Sequence, residues 1–322
     1  MAARRKVRKS ISESDRALFT QVATTLELVA MAIDETLDAK PETIDTGIQI
    51  ISEPPPVKPP QKNPIFALNH SKLTDRKWYG YIPDAYDSRD HVMLVQIPAT
   101  LPDSVNLRQF MPPVYDQGQI GSCTANAIAA AIQFDRNKQA LNGWQPSRLF
   151  IYANERIMEN VPLAEDSGAQ IRDGIKSVAT VGVCPETEWP YDIAQFATKP
   201  PDACYTHAVQ HLALKYQRVP QTKAALMAVL ASGYPFVFGF TVYDGFESEE
   251  VAKSGVLNLP APNEKVVGGH AVLCVGYDKP SDRLIVRNSW GDWGQGGNFT
   301  IPFDYVCNNE MADDFWCINV VG

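Results

Sequence analysis

A cysteine stands where a helix is expected to begin, and its position predicts a reactive thiol. It ends the glycine-rich segment Gln117-Gly118-Gln119-Ile120-Gly121-Ser122-Cys123, and the apolar residues that follow recur at helical spacing. Backbone N–H groups and the positive end of the helix dipole stabilise a thiolate there, which lowers the pKa of the thiol. Gln117, six residues earlier, can fold its side-chain amide toward the same point. Together with the N–H of Cys123, that amide would hold a developing oxyanion.

A histidine and an asparagine further along supply the other groups that a thiol nucleophile needs. His270 follows Gly268-Gly269 and opens an apolar run, so we predict that it heads a β-strand and takes the thiol proton. Eighteen residues later, the side-chain oxygen of Asn288 can accept a hydrogen bond from the imidazole and fix its tautomer. A lone cysteine or histidine is more often a packed residue, so the prediction depends on the joint pattern.

These segments together resemble the papain family of cysteine peptidases. In that family an oxyanion-hole glutamine precedes a Gly-Ser-Cys nucleophile by six residues, a histidine opens a strand, and Asn-Ser-Trp-Gly follows. Gln117, Cys123, His270 and Asn288 match these positions in chain order. The likeness runs from about residue 101 to 322 and is extended by Trp189-Pro190-Tyr191 and by Gly291-Asp292-Trp293-Gly294-Gln295-Gly296-Gly297. Residues 146–150 and Arg172-Asp173 resemble a branch found in microbes and viruses.

The resemblance implies an α+β fold of two lobes with the active site in the cleft between them. The N-terminal helical lobe would carry Cys123, and the C-terminal lobe, an antiparallel β-barrel-like structure, would carry His270 and Asn288. Trp290 would shield the hydrogen bond between His270 and Asn288 from water. The implied substrate-binding residues are Gly168 and Ala169, which stand where the family has a Gly-Gly pair that binds substrate backbone, Gly269 beside a pocket for an apolar side chain, and Trp293 on the leaving-group side.

Several positions depart from the family pattern. Thr124 replaces the usual tryptophan after the nucleophile, and Ile120 replaces a cysteine, so the usual nearby disulfide is absent. Cys307 and Cys317 would pair in an oxidising environment, and reduced thiols fit the sequence equally well. Cys204, His207 and His211 have the spacing of half a zinc site, but no second half is evident. We therefore predict ordinary packing there, no metal site and no cofactor.

Two kinds of periodicity surround the cysteine and the histidine. Apolar residues at helical spacing predict helices at about 123–138, 147–158 and 170–181. Short apolar runs separated by Gly, Pro and Asn predict strands at 236–240, 266–267, 271–275 and 284–286. The order of these elements agrees with a helical lobe followed by a β lobe.

The first hundred residues continue neither pattern. After a basic start, which is either a solvated tail or a docking segment, residues 12–38 have the spacing of an amphipathic helix and residues 53–60 are rich in proline. We predict an accessory region at 1–75, which is a candidate propeptide, an extended arm at 76–100 and the peptidase domain at 101–322. The helix would pack on that domain, on a partner or on a second copy.

The composition is that of a globular protein of more than one unit, with 322 residues, of which 45% are hydrophobic and 20% charged. Residues 1–100 carry equal numbers of basic and acidic side chains, so the net charge of −8 arises from the rest of the chain. An acidic domain repels phosphates, which argues against a nucleic-acid partner. No signal peptide or membrane span is visible, so we expect a cytoplasmic protein or one exported by a signal-independent route.

The activity that these residues predict is hydrolysis of peptide bonds by a cysteine endopeptidase through an acyl-enzyme intermediate. We expect a peptide or protein substrate and a zymogen in which the chain's own N-terminal segment crosses or flanks the cleft as an inhibitor. Two alternatives stay open. An acyl transferase or ligase would resolve the acyl-enzyme with an amine instead of water. An inactive peptide-binding module would be expected to have lost a catalytic residue, and none is missing here.

Overall fold

The structure is a computed structural model that describes residues 49–50, 79–141 and 144–321. The helix predicted at 12–38 and the proline-rich segment at 53–60 lie outside these residues. The helices are α1 (Cys123–Lys138), α2 (Arg148–Met158), α3 (Ile171–Thr180), α4 (Asp202–Ala208), α5 (Lys223–Ala231), α6 (Glu249–Ser254) and α7 (Phe303–Val306). The strands are β1 (Gln49–Ile50), β2 (Tyr81–Ile82), β3 (Gln96–Ile97), β4 (Ser104–Asn106), β5 (Ala169–Gln170), β6 (Ala213–Arg218), β7 (Phe236–Tyr243), β8 (Val266–Asp278), β9 (Arg283–Arg287), β10 (Asn298–Pro302) and β11 (Ala312–Val321).

The first half of the domain is a helical lobe built around α1. This helix is buried along nearly its whole length, and its alanines allow α2, α3 and strand β8 to pack closely against it. Helix α2 begins after Ser147, whose hydroxyl oxygen accepts a hydrogen bond from the N–H of Phe150 at 3.1 Å. The three helices predicted from periodicity are therefore confirmed to within one residue at each end. Across residues 79–141 and 144–321, no helix is long and apolar enough to cross a membrane.

The second half forms an antiparallel sheet in the order β10-β9-β8-β7-β11-β6, with β4 beside β8. Its inner face buries a row of aromatic residues from β7, namely Phe236, Phe238 and Phe240. The runs predicted at 266–267 and 271–275 are one long strand, β8. They are continuous because Gly268 and Gly269 pair with Val242 and Thr241 on β7, and this ladder holds the glycines in extended conformation. The α+β architecture predicted from the sequence is confirmed.

The segment before the domain crosses its surface as an extended arm, residues 79–97. Strand β2 pairs in parallel with β5 in the helical lobe. Further along, Val92 forms a bridge with Arg218 of β6, and the N–H of Met93 donates to the Arg218 carbonyl at 2.8 Å. The arm is thus held by backbone hydrogen bonds to both halves of the domain, and its first residues lie beside the start of α1.

One glycine fixes how closely two segments of the helical lobe approach each other. Gly182 has a φ of +83°, and a Cβ atom built there would lie 1.8 Å from the carbonyl oxygen of Ala208 at the end of α4. Gly296 has a comparable φ of +56°, but no atom lies within 4 Å of its Cβ position. Any L side chain is strained at both positions by the left-handed backbone, whereas the steric overlap exists at Gly182 alone.

We expect Gly182→Ala to lower the free energy of unfolding by about 2 kcal/mol more than Gly296→Ala does, because backbone must move to relieve the overlap. Equilibrium unfolding in urea, followed by circular dichroism, measures the difference. Equal losses in the two variants would contradict the close approach of residue 182 to α4.

Candidate active site

Cys123 is the first residue of α1, and its sulfur is fully buried. The helix begins there because the turn before it, with Gly118 at a φ of +63°, reverses the chain, and the Asn126 N–H donates to the Ser122 carbonyl at 3.0 Å. From the β lobe, the N–H of Ala271 points at the Cys123 sulfur over 3.4 Å. The fold therefore brings the thiol into contact with the strand that carries His270.

His270 lies on β8 and Asn288 directly follows the neighbouring strand β9, and a hydrogen bond joins the two side chains. His270 Nε2 and Asn288 Oδ1 are 2.8 Å apart, and the same oxygen accepts from the N–H of Ser289 at 2.8 Å. The Ser289 N–H fixes which end of the amide faces the ring, and an amide oxygen can only accept. Nε2 is therefore the donor, which leaves Nδ1 as the nitrogen that can take a proton from a thiol.

Aromatic rings enclose the imidazole. The Trp290 ring stacks on that of His270 with centroids 4.8 Å apart and planes 25° from parallel, and the Phe240 ring meets it at 5.9 Å. Trp293 packs edge-on against Trp290 at 5.2 Å. The Trp290 indole therefore lies over the imidazole that bonds to Asn288, in a position to keep water away from that hydrogen bond.

Gln117 is fully buried and connects the two lobes next to the thiol. Its side-chain oxygen accepts from the Ser289 hydroxyl at 2.7 Å, and its amide nitrogen donates to the Ile120 carbonyl at 3.1 Å. Its backbone N–H donates to the Ser289 carbonyl at 2.8 Å. The amide plane is thus fixed by groups on either side. All four residues that the sequence singled out come together at one point.

The arm lies directly over this point, at Gly80. The Gly80 carbonyl accepts from the Ala169 N–H at 2.7 Å, and the Gly80 N–H lies close enough to the Cys123 thiol to lower its pKa. A Cβ atom at Gly80 would lie 1.7 Å from the carbonyl oxygen of Gly121, and one at Gly168 would lie 2.2 Å from that of Gly80. Three backbones therefore meet where a side chain on Gly80 or Gly168 would collide, and where a Cβ atom on Gly121 would have neighbours at 3.3 Å.

Burial changes the acidity of the thiol. Removal from water raises the pKa of Cys123 to about 12, against the lowering influence of the N–H groups of Ala271, Gly80 and Thr124. The sequence predicted a lowered pKa from the helix terminus. The structure differs because the arm seals the site, and the cost of burying an anion exceeds the gain from three N–H donors.

Tyr81 fills a pocket in the β lobe that the sequence did not identify. Its ring is 2% exposed and lies on Gly239, where a Cβ atom would be 2.0 Å from the ring. Its hydroxyl donates to Asp314 Oδ2 at 2.6 Å. A glycine within the aromatic run of β7 is a signal of close approach that was present in the sequence. The role of Asp314 carried no such signal, since it depends on the course of the arm.

Tyr79 lies on the other side of Gly80, beside the imidazole. Its ring centroid is 5.9 Å from those of both His270 and Trp290, and its hydroxyl donates to Glu247 Oε1 at 2.8 Å. Gly268 provides the space, because a Cβ atom there would lie 2.6 Å from the tyrosine side chain. The arm therefore places one aromatic ring on each side of Gly80, the residue that lies beside the Cys123 thiol.

A buried cluster of charges anchors the arm where it leaves the cleft. Arg218 donates to Asp84 at 2.8 Å and to Asp90 at 2.9 Å, both on the arm, and to Asp314 of β11 at 3.1 Å. Arg172 of α3 also reaches Asp90, at 3.2 Å. Burial and the neighbouring Asp314 raise the pKa of Asp84 well above its usual range. Charges this deeply buried need their partners, so displacing the arm costs several hydrogen bonds together.

Of the predicted substrate-binding residues, Gly168 and Ala169 lie against the arm backbone. Gly269 is buried within β8, and Trp293 packs on Phe246 with ring centroids 4.8 Å apart. The arm fills the cleft, so these contacts of Gly269 and Trp293 are not contacts with a substrate side chain. Their binding roles remain predictions.

Comparison with known proteins identifies the family. The family model described as papain family cysteine protease matches residues 101–315. The chain belongs to this family. It is a cysteine-type peptidase and thus a hydrolase, as the motifs predicted.

Individual relatives agree with this assignment. An uncharacterized peptidase C1-like protein of Acanthamoeba polyphaga mimivirus is 47% identical over 64% of this chain and 69% of its own length. The crystal structure of xylellain, a cysteine protease from Xylella fastidiosa, is 45% identical, has a TM-score of 0.71, and aligns over 78% of this chain and 100% of its own. A digestive procathepsin L 3 of Tenebrio molitor has a TM-score of 0.53 at 21% identity, over 66% of this chain and 69% of its own, which shows the fold alone.

Thr124, which stands in place of the family's usual tryptophan, has a defined partner. Its hydroxyl donates to Glu155 Oε2 on α2 at 2.9 Å. Burial raises the pKa of Glu155 well above its usual range. At this position the chain thus has a hydrogen bond between α1 and α2.

The high pKa of Cys123 predicts slow alkylation of the intact chain at neutral pH. We expect iodoacetamide to modify Cys123 about a thousandfold more slowly at pH 7 than it modifies the same cysteine in urea-unfolded protein, because the thiolate fraction is so small. The rate should rise about tenfold per pH unit up to at least pH 10. Peptide mass spectrometry after timed quenching measures it. A fast rate that is constant between pH 5 and 8 would instead indicate a thiolate–imidazolium pair beneath the arm.

Proposed function

We propose that this protein is an endopeptidase kept latent by its own arm, residues 79–97, and that it acts through Cys123, His270, Asn288 and Gln117. The main support for this proposal is that Gly80 lies beside the Cys123 thiol, with Tyr79 and Tyr81 packed on either side of Gly80. The arm lies in the cleft as an extended chain, as a substrate would. The cleft is therefore shaped for peptide backbone.

The geometry supports a mechanism of two displacements. Once the arm has left, Cys123 Sγ attacks the carbonyl carbon of a peptide and its proton passes to His270 Nδ1. The oxyanion accepts hydrogen bonds from the Cys123 N–H and the Gln117 side-chain amide. The carbon–nitrogen bond then breaks, and the leaving amine takes the proton from His270. Water attacks the resulting thioester with His270 as the base, which releases the carboxylic acid and restores the thiol. Asn288 holds the ring in the tautomer that this sequence requires.

The direction of the arm explains why it inhibits without being cut at Gly80. The group of Gly80 that acts on the thiol is its N–H, which lowers the pKa of Cys123, whereas the Gly80 carbonyl accepts from the Ala169 N–H at 2.7 Å. At Gly80 the sulfur therefore meets an N–H group and not a carbonyl carbon that it could attack. Strand β2 runs parallel to β5, and reversing its direction would exchange the positions of its N–H and C=O groups. The arm occupies the cleft but does not present a reactive carbonyl.

The pocket that holds Tyr81 suggests which side chains the enzyme accepts beside the cleaved bond. An apolar side chain is what the family likeness implied. Here the pocket has room over Gly239 for an aromatic ring, and the Asp314 carboxylate accepts from a hydroxyl group at its end. We infer that tyrosine is preferred to phenylalanine at this position of a substrate, because phenylalanine would remove one of the hydrogen bonds that this buried carboxylate accepts, leaving that of Arg218.

Tyr81→Ala should release part of the inhibition. The substitution removes a buried aromatic ring, which lowers the free energy that favours the covered cleft by about 3 kcal/mol. The equilibrium constant between the covered and the open cleft then changes about a hundredfold. We expect the initial rate on a small fluorogenic peptide to rise by up to about a hundredfold. Tyr86→Ala, which truncates an exposed tyrosine of the same arm, is the matched control and should leave the rate unchanged. If neither variant alters the rate, the arm is permanent structure and not an inhibitor.

Gly80→Ala tests the peptidase chemistry itself. Its added methyl group collides with the Gly121 carbonyl, so the arm must leave the thiol. We expect this variant to be labelled at residue 123 by a thiol-directed epoxide at least tenfold faster than the parent, and to cleave peptides that contain tyrosine. The double variant Gly80→Ala/Cys123→Ser should be neither labelled nor active. Labelling without cleavage of any peptide in a library, or transfer of the acyl group to an added amine in preference to water, would argue against an endopeptidase.

A further inference from the structure

A second group of cysteines lies in the helical lobe, apart from the residues that form the active site. Cys184 and Cys204 are 61 and 81 positions after the catalytic cysteine, and both are buried. The two sulfur atoms and a carboxylate oxygen of Glu188 all lie within 4.8 Å of one another. Two thiols and a carboxylate converge here, and the peptidase mechanism uses none of them.

The fold holds this cluster by backbone contacts on two sides. Cys204 lies on α4, while Cys184 and Glu188 lie on the turn that follows α3. The carbonyl of Cys184 accepts from the Ser147 N–H at 2.9 Å, and the Glu188 N–H donates to the Pro185 carbonyl at 3.0 Å. The close approach at Gly182 presses the turn against the end of α4. The donors are therefore gathered by the backbone before any ligand is bound.

A histidine stands at the open side of the cluster. His207 is three residues after Cys204 on α4, so both side chains lie on one face of the helix. His207 Nδ1 is 2.8 Å from Glu188 Oε2. The side chains of His207 and Glu188 are both partly exposed, whereas the two thiols lie inside. The set contains two sulfurs, one carboxylate and one imidazole, which are the donor types that zinc prefers.

The charges of the cluster favour a cation. Ionised, the two thiols and the Glu188 carboxylate would place three negative charges within 4.8 Å of one another. A divalent cation between them would turn this mutual repulsion into attraction.

We propose that Cys184, Cys204 and Glu188 form a structural zinc site, with His207 as the fourth ligand. On binding, each thiol gives its proton to water and becomes a thiolate, so one Zn²⁺ releases two protons. The sequence had suggested half a site from Cys204, His207 and His211. The fold pairs Cys204 and His207 with Cys184 and Glu188 instead, while the His211 ring packs on Trp144 with centroids 4.5 Å apart.

A metal explains the set better than a disulfide does. All six cysteines are unbonded thiols in the structure, and a disulfide would have no use for the carboxylate beside it. The site also has a structural purpose. Three residues after Glu188, the Tyr191 hydroxyl donates to the Gln117 carbonyl at 2.9 Å. A metal at Glu188 would therefore stiffen the turn that supports the oxyanion loop.

Metal uptake is best measured in full-length protein with Cys123→Ser, because the catalytic thiol could itself bind zinc. Under anaerobic, reducing conditions we expect one equivalent of Co²⁺ to bind and to produce the near-ultraviolet absorption of a cobalt thiolate. One equivalent of Zn²⁺ should displace it, release two protons to a weakly buffered indicator and raise the Tm. Cys184→Ser and Cys204→Ser should abolish the absorption, whereas Cys307→Ser, at a half-buried cysteine outside the cluster, should retain it.

Glu188→Gln tests the site even if the cysteine variants fail to fold, since this partly exposed side chain can be changed without disturbing the core. We expect it to keep the circular dichroism spectrum of the parent and to weaken Co²⁺ binding at least tenfold. The proposal is overturned if the parent takes up no metal, if the cobalt absorption survives in Cys184→Ser, or if Glu188→Gln binds as tightly as the parent. A mass about 2 Da lower in non-reduced protein, lost in Cys184→Ser, would show a disulfide in place of the site. These outcomes are independent of peptidase activity.

Discussion

The contact among Gly80, Gly121 and Gly168 is the constraint on which the active-site region depends. None of the three has a side chain, and the backbone of the arm therefore reaches the bottom of the cleft. Its N–H can then donate to the Cys123 sulfur, and the adjoining residues enter the spaces on either side. A methyl group on Gly80 would prevent this close contact and expose the thiol to water.

The chemical state of the thiol follows from that contact. A helix N-terminus and three N–H donors favour a thiolate, and in an open cleft the nearby imidazole would add to their effect. Under the arm, the loss of hydration outweighs them, and the pKa rises to about 12. In the function that we propose, the same residues have an inert and a reactive form, which differ in whether water and substrate can reach the sulfur. The proposed latency requires no rearrangement of His270, Asn288 or Gln117.

The two ends of the arm are fixed by different forces. Near the thiol, Tyr79 and Tyr81 contribute buried aromatic surface, which is tolerant of small changes in geometry. Further along, Arg218 joins Asp84 and Asp90 of the arm to Asp314 of the sheet. A buried guanidinium loses much when a single partner leaves, so the charged cluster resists partial opening. Asp314 belongs to the charged cluster and also contributes to the aromatic contacts near the thiol, since it accepts a hydrogen bond from the Tyr81 hydroxyl.

The sequence by itself determined the family and the α+β architecture, and it predicted Cys123 and the three residues that accompany its thiol, because helical and strand periodicities and the motif spacings are local properties of the chain. It also predicted an arm near residues 76–100. Only the tertiary structure decided that Gly80 lies on Cys123, that Asp314 closes the Tyr81 pocket, and that Cys184 and Glu188 join Cys204. These pairs are separated by 43, 233 and up to 20 positions. Such contacts arise from how whole elements pack, and no local pattern records them. For the same reason the lowered pKa that the sequence predicts for Cys123 is wrong for this structure: the helix terminus is visible in the sequence, but the burial that outweighs it is not.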